Sequence, residues 1–174
     1  METNMPDQLQ RFIFENCAMR GVLVHLDAAL QRNLDAHVYP EPVRALLAEA
    51  LVAVAILATT VNLEGRISLQ LQGQGPLALL LAEATHDRGL RAIARVQDGA
   101  ALPESSAFAD WSKGGIMALS MLPDTGKPYQ GVVPLSGQSL AECLEFYFAQ
   151  SEQLRTTLRL YFDGKRAAAL FVQA

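Results

Sequence analysis

The chain has 174 residues and a net charge of −4, with 14 basic against 18 acidic side chains. That length suits one domain with a core of its own, and 51% hydrophobic against 18% charged residues excludes a disordered or acidic-tail protein. The acidic balance argues against nucleic acid as a partner, because phosphate binding needs a concentrated basic face. Two cysteines, Cys17 and Cys143, make neither a disulfide framework nor a four-ligand zinc site, so a reduced, cytoplasmic setting is expected.

Gln8 to Val24 mixes aromatic, β-branched and charged residues, and Phe12, Ile13 and Phe14 read as strand. Asp27 stands before Ala28-Ala29-Leu30 as an expected N-cap. Leu26, Leu30, Leu34 and Val38 recur on one side, which predicts a short helix to about His37. Tyr39-Pro40-Glu41-Pro42 breaks it, with Pro42 suited to the first turn of the next helix. That helix, from Val43 to Val61, follows the 3.6-residue period but is apolar on its opposite side too, so it should lie inside the domain.

Arg66 to Gln72 alternates. Ile67, Leu69 and Leu71 face one way and Arg66, Ser68, Gln70 and Gln72 the other, as in a strand with one wet face. Gly73-Gln74-Gly75-Pro76 is a turn, and Leu77 to Ala84 is ambiguous between strand and helix. Leu90 to Val96 alternates again, with Arg91, Ile93 and Arg95 on one face. Gly99 to Ala107 reads as loop, Ser105 to Ser112 as a short helix, and Ile116–Leu122 and Tyr129–Leu135 as strands. Ser139-Leu140-Ala141-Glu142 is a capping box, opening a helix with Leu140, Cys143, Leu144, Tyr147 and Phe148 on one face. Asp163-Gly164-Lys165 joins Thr156–Phe162 to Arg166–Val172 as a hairpin. The whole reads as one α+β domain, a mainly antiparallel sheet with helices packed on it.

Met1 to Gln10 is polar and carries Glu2 and Asp7, unlike a secretory leader. The longest uncharged apolar stretch, Ala50 to Leu63, is too short for a bilayer span, so no membrane partner is expected.

Little in the chain suggests catalysis. Gly73-Gln74-Gly75-Pro76-Leu77-Ala78 fits a loose dinucleotide pattern, yet the strand before it is half polar where such a fold has a fully apolar one. His25, His37 and His86 stand apart from other ligand types and read as surface residues. Cys143 falls on a buried helix face, as a packed thiol and not a nucleophile. Arg91 and Arg95 read as a solvated sheet face, with an anion or carboxylate contact as the alternative. Phe12, Phe14, Phe146 and Phe148 suit either core or interface. No catalytic, cofactor-binding or metal residue is assigned, and residues that contact a partner stay open.

Several segments together resemble one family. They are Phe14-Glu15-Asn16 with Arg20-Gly21, Tyr39-Pro40-Glu41-Pro42-Val43, Leu71-Gln72-Gly73-Gln74-Gly75-Pro76, Arg91-Ala92-Ile93-Ala94-Arg95-Val96, Tyr129-Gln130-Gly131-Val132-Val133, and Cys143-Leu144-Glu145-Phe146-Tyr147-Phe148 with Ser151-Glu152-Gln153-Leu154 and Thr156. In this order, from about Asp7 to about Lys165, they resemble the redox-regulated 33 kDa chaperonins, heat-shock holdases. The resemblance implies an ATP-independent chaperone, not an enzyme, that binds unfolding client proteins and works as a homodimer. It also implies a helical linker and a C-terminal zinc domain, whose four cysteines hold zinc when reduced and form two disulfides when oxidised.

This chain holds no Cys-x-Cys or Cys-x-x-Cys, and Cys17 and Cys143 match none of the switch positions. Residues 1–174 therefore read as the N-terminal substrate-binding domain, with no cofactor in this chain and zinc expected beyond Ala174. Ala167-Ala168-Ala169 stands where the family tends to carry glycine, which leaves the end of the last hairpin open. A nucleotide-binding enzyme using the Gly73–Gly75 loop, and a module that pairs with one specific partner through an open sheet edge, are the alternatives.

Overall fold

The computed structural model describes residues 7–62 and 64–174. Two antiparallel sheets form around the long apolar helix. β1 (Gln8–Ile13), β2 (Arg20–Leu26), β9 (Ala167–Gln173) and β8 (Thr156–Phe162) make one, in the order β1-β2-β9-β8. The other is ordered β5-β4-β3-β6-β7, from β3 (Gly65–Gln72), β4 (Leu77–Thr85), β5 (Leu90–Val96), β6 (Ile116–Pro123) and β7 (Tyr129–Pro134). α2 (Glu41–Thr60) touches β2, β8 and β9 of the first sheet and β3, β4 and β5 of the second. It is covered from both sides, which is why neither of its faces is polar. It is also long and apolar enough, by length and composition, to cross a membrane; here eleven of its residues are core. The ambiguous segment after Pro76 is the strand β4. Its apolar side chains serve two surfaces, Leu80, Ala82 and Ala84 being buried and Leu79 and Leu81 half-buried on the other face.

α1 (Ala28–Leu34) stops three residues short of the expected end. Leu26, Leu30 and Leu34 are buried as their spacing requires, but Val38 is wholly exposed. Arg44 of α2 ends the helix there: its guanidinium donates to the Leu34 carbonyl at 3.0 Å and to the Asp35 carboxylate at 3.1 Å. The expected cap is also corrected. Asp27 occupies the N-cap position without a side-chain cap hydrogen bond. Asp7, twenty residues earlier, accepts from the Asp27 amide at 2.6 Å and the Ala29 amide at 3.2 Å. A carboxylate from outside the helix satisfies the donors that a local cap would.

α3 (Phe108–Trp111) is a single turn where a helix from Ser105 to Ser112 was expected. α4 (Leu140–Ser151) opens as its capping box predicts. The Ser139 hydroxyl accepts from the Glu142 amide at 3.2 Å, and the Glu142 carboxylate accepts from the Gln138 amide at 2.8 Å, one residue further back than expected. Leu140, Cys143, Leu144, Tyr147 and Phe148 are all buried. The final hairpin turns on Asp163, whose carboxylate accepts from the amides of Lys165 (2.9 Å) and Arg166 (2.7 Å), while Gly164 takes φ 98°. The three alanines continue β9 in register with β2 and β8.

Candidate functional site

The five-stranded sheet buries one face against α2 and leaves the other to solvent. Strand registers arrange the outer face in rows across all five strands. One row runs Ile93, Leu81, Gln70, Ala118 and Val132; beside it run Arg95, Leu79, Gln72, Ile116 and Pro134. A third row is polar: Arg91, Glu83, Ser68, Ser120 and Gln130. At about 4.8 Å between strands the rows are about 19 Å long.

The two halves of this face differ in chemistry. In the polar row Glu83, Ser68 and Ser120 are buried, so the strand β3 is not simply wet on this side. Burial of Glu83 and Ser120 is tolerated because each is paired. The Arg91 guanidinium donates to Glu83 from Nε at 2.6 Å and Nη2 at 2.5 Å, and the Gln130 amide donates to Ser120 at 3.0 Å. Arg91 thus has a carboxylate contact on its own sheet, while Ile93 and Arg95 are exposed beside it, as the alternation requires. In the apolar half Ile93 is 46%, Ile116 42% and Val132 53% exposed. Gln70 and Gln72 cross this half on the central strand, so its exposed apolar side chains lie in two groups, Ile93 on one side and Ile116 with Val132 on the other; exposed apolar groups with a polar rim mark a surface that meets another molecule.

The aromatics divide. Phe148 is core, edge-on to Phe171 at 5.7 Å. Phe12 is half-buried over Gly21, and exposed Phe14 stacks edge-on against it at 5.6 Å. Phe146 is exposed on α4. None of them belongs to the five-stranded face, whose apolar residues composition could not single out. A signal was present in Ile93, an apolar residue between two arginines on a polar strand face.

Gly73 and Gly75 do not form a phosphate loop. They turn β3 directly into antiparallel β4, with the Gly73 amide bonded to the Ala78 carbonyl at 3.4 Å. A dinucleotide loop must lead into a helix whose N-terminus faces the pyrophosphate; here a strand follows. The histidines remain apart, and no group of three His, Cys, Asp or Glu side chains could hold a metal among the described residues. His37 is exposed, and exposed His86 accepts the Gly65 amide at Nδ1, at 2.9 Å. His25 is half-buried on β2, and its Nδ1 is buried without a hydrogen-bond partner among the described residues. Cys17 is exposed and Cys143 buried, and burial pushes the Cys143 thiol above its ordinary value.

Sheet edges are partly closed by side chains. On β5 the Ala92 amide donates to Asn33 at 2.9 Å and the Ala94 amide to the Tyr39 hydroxyl at 3.5 Å. On β8 the Leu158 amide donates to Glu145 at 2.8 Å.

Residues 7–174 match the family described as Hsp33 protein. The chain is 44% identical over 165 residues to the 33 kDa chaperonin of Salmonella paratyphi A, covering 93% of this chain and 56% of that one. To the 33 kDa chaperonin of Methylobacillus flagellatus it is 44% identical over 169 residues, covering 96% and 57%. The crystal structure of the Thermotoga maritima 33 kDa chaperonin superposes with a TM-score of 0.77 at 21% identity, over 95% of this chain and 60% of that one, a likeness of fold. The chain spans somewhat more than half the length of these relatives. With the family matched along nearly its whole length and its two-sheet fold shared, the chain belongs to the Hsp33 family.

Proposed function

We propose that this chain is a client-binding unit of an ATP-independent holdase, which takes up unfolding proteins on the apolar half of its five-stranded sheet. The observation that carries the reading is the exposure of Ile93, Ile116 and Val132 on this face, with half-buried Leu79, Leu81 and Ala118 between them and Gln70 and Gln72 on the central strand. Family membership supports it. An unfolding chain offers exposed apolar side chains of no fixed sequence, and an open face that carries apolar groups among polar ones accepts them without a shaped pocket.

We further propose cytoplasmic residence, dimerisation and, where the chain is joined to the remaining length its relatives have, control by a zinc-bound cysteine switch that uncovers the face on oxidation. Such a switch is physically apt, because releasing a structural zinc removes on the order of 10 kcal/mol of folding free energy from whatever it holds in place. Cys17 and Cys143 do not have the switch spacing, so residues 1–174 by themselves should act without oxidation. The alternative of pairing with one partner through a sheet edge is disfavoured at β5 and β8, whose amides side chains already hold, and is left to the β1 and β7 edges.

The test is suppression of thermal aggregation of a client enzyme, followed by light scattering with reductant, with oxidant and with ATP. Equal suppression under all three conditions is expected, with its loss in a doubly charged I93D/V132D variant that melts like the parent. Suppression that needs ATP or oxidant, or that survives the charged variant, would overturn the reading.

A further inference from the structure

A second feature lies on the other side of the molecule from the core sheets' open face and has no part in the reading above. Between the first half of α2, the turn of α3 and the start of α4 is a cavity of about 410 Å³. Glu49 and Glu41 line it from α2, Phe108 and Trp111 from α3, and Gln138 and Ser139 from the residues that open α4. These two glutamates are the titratable groups in that lining; it contains no lysine, arginine or histidine.

Glu49 is the anomaly. It is half-buried, and it makes no hydrogen bond or ion pair among the described residues. Burial alone pushes its carboxyl up to about 7, with no neighbouring group offsetting the cost. Buried charges are ordinarily paired. Trp111 forms part of the wall in a fixed orientation, its indole N–H donating to the Ser105 carbonyl at 2.9 Å. A carboxylate without a counter-ion and an aromatic wall in one cavity are the two elements that recognise an organic cation, the one by charge and the other by its ring face. An inorganic ion would leave the aromatic wall unused.

We propose that this cavity binds a primary alkylammonium group, with Glu49 as its counter-ion and Phe108 and Trp111 as its apolar wall.

Trp111 is the one tryptophan in the chain, so its fluorescence reports the cavity directly. The whole chain is titrated with butylammonium and, separately, with N-acetyl-lysine methylamide. 1-Butanol and sodium chloride at equal ionic strength serve as controls. The expected result is a saturable change with an ammonium compound and none with the controls. The ranking of the two ammonium compounds separates a free amine from a lysine side chain. Because Glu49 must ionise to bind, affinity should rise roughly 30-fold from pH 5.5 to pH 8. E49Q should abolish the change at pH 8 while retaining the parent's circular dichroism. The parent at pH 5.5 supplies a protonated Glu49 without a substitution. No saturable change with either ammonium compound, an equal change in E49Q or with 1-butanol, or affinity independent of pH overturns the proposal.

Discussion

The carboxylate of Glu145, on α4, accepts the backbone N–H of Leu158, on the outer edge of β8, at 2.8 Å. The same oxygen accepts from the Arg159 guanidinium at 3.1 Å. An exposed strand edge is a template for another strand, and here a side chain takes the place of that strand. Substituting Glu145 by alanine should cost about 1–2 kcal/mol, the range for a hydrogen bond to a charged group. It should also raise the tendency to associate edge to edge. Urea denaturation checks the first and light scattering of the folded protein the second; a variant as stable and as monodisperse as the parent would refute the role.

Glu49 makes stability depend on pH in an unusual direction for a carboxylate. Its folded-state value, about 7, lies above the ordinary 4.5, so the folded protein holds this proton more tightly than the unfolded chain. The contribution is fully present below about pH 4.5 and is lost as pH rises through about 7. The loss is on the order of 3 kcal/mol. E49Q should therefore be more stable than the parent at pH 8 and equal to it at pH 4, as read from urea midpoints at the two values. Equal stability at both would mean that Glu49 is solvated.

Asp7 should matter more to α1 than the residue at its N-cap. D7A removes the acceptor for both the Asp27 and the Ala29 amide. The expected loss is about 1 kcal/mol, the usual effect of deleting a cap. Urea denaturation measures the loss, and hydrogen exchange of the Asp27 and Ala29 amides should speed up in the same variant. Unchanged exchange would place the cap elsewhere.

Gly131 of β7 lies against the ring of Tyr147, which is fully buried; a Cβ at that position would overlap the ring. G131A should destabilise by about 1–3 kcal/mol, as overpacking does. Pairing it with Y147L, which makes room, should recover part of the loss. A double variant no better than the sum of the two singles would argue against the contact.

Elements with a strong local pattern were legible in the chain. α2 is periodic and apolar all round, and β3 alternates. Ser139 and Glu142 cap α4 across three residues, and Asp163-Gly164 closes a hairpin within four. Each depends on neighbours in sequence, so sequence reports it. Asp7 capping a helix twenty residues away, Arg44 ending α1 early and Asn33 closing the β5 edge depend on chain segments meeting in space. The candidate surface failed to be legible for a related reason. Leu79 and Leu81 look like core residues, and only the registers of β3 to β7 place them on the same open face as Ile93, Ala118 and Val132.

The sequence by itself determined the class of fold, the inward fate of α2 and, through its ordered segments, the family. Hydrophobic period and turn chemistry act within a few residues and survive in the linear order. The tertiary structure alone decided that α2 is shared by two sheets, which sheet face stays open, and that Glu49 is left without a counter-ion. Those outcomes depend on which surfaces run out of partners once the chain is packed, and no short stretch of sequence carries that information.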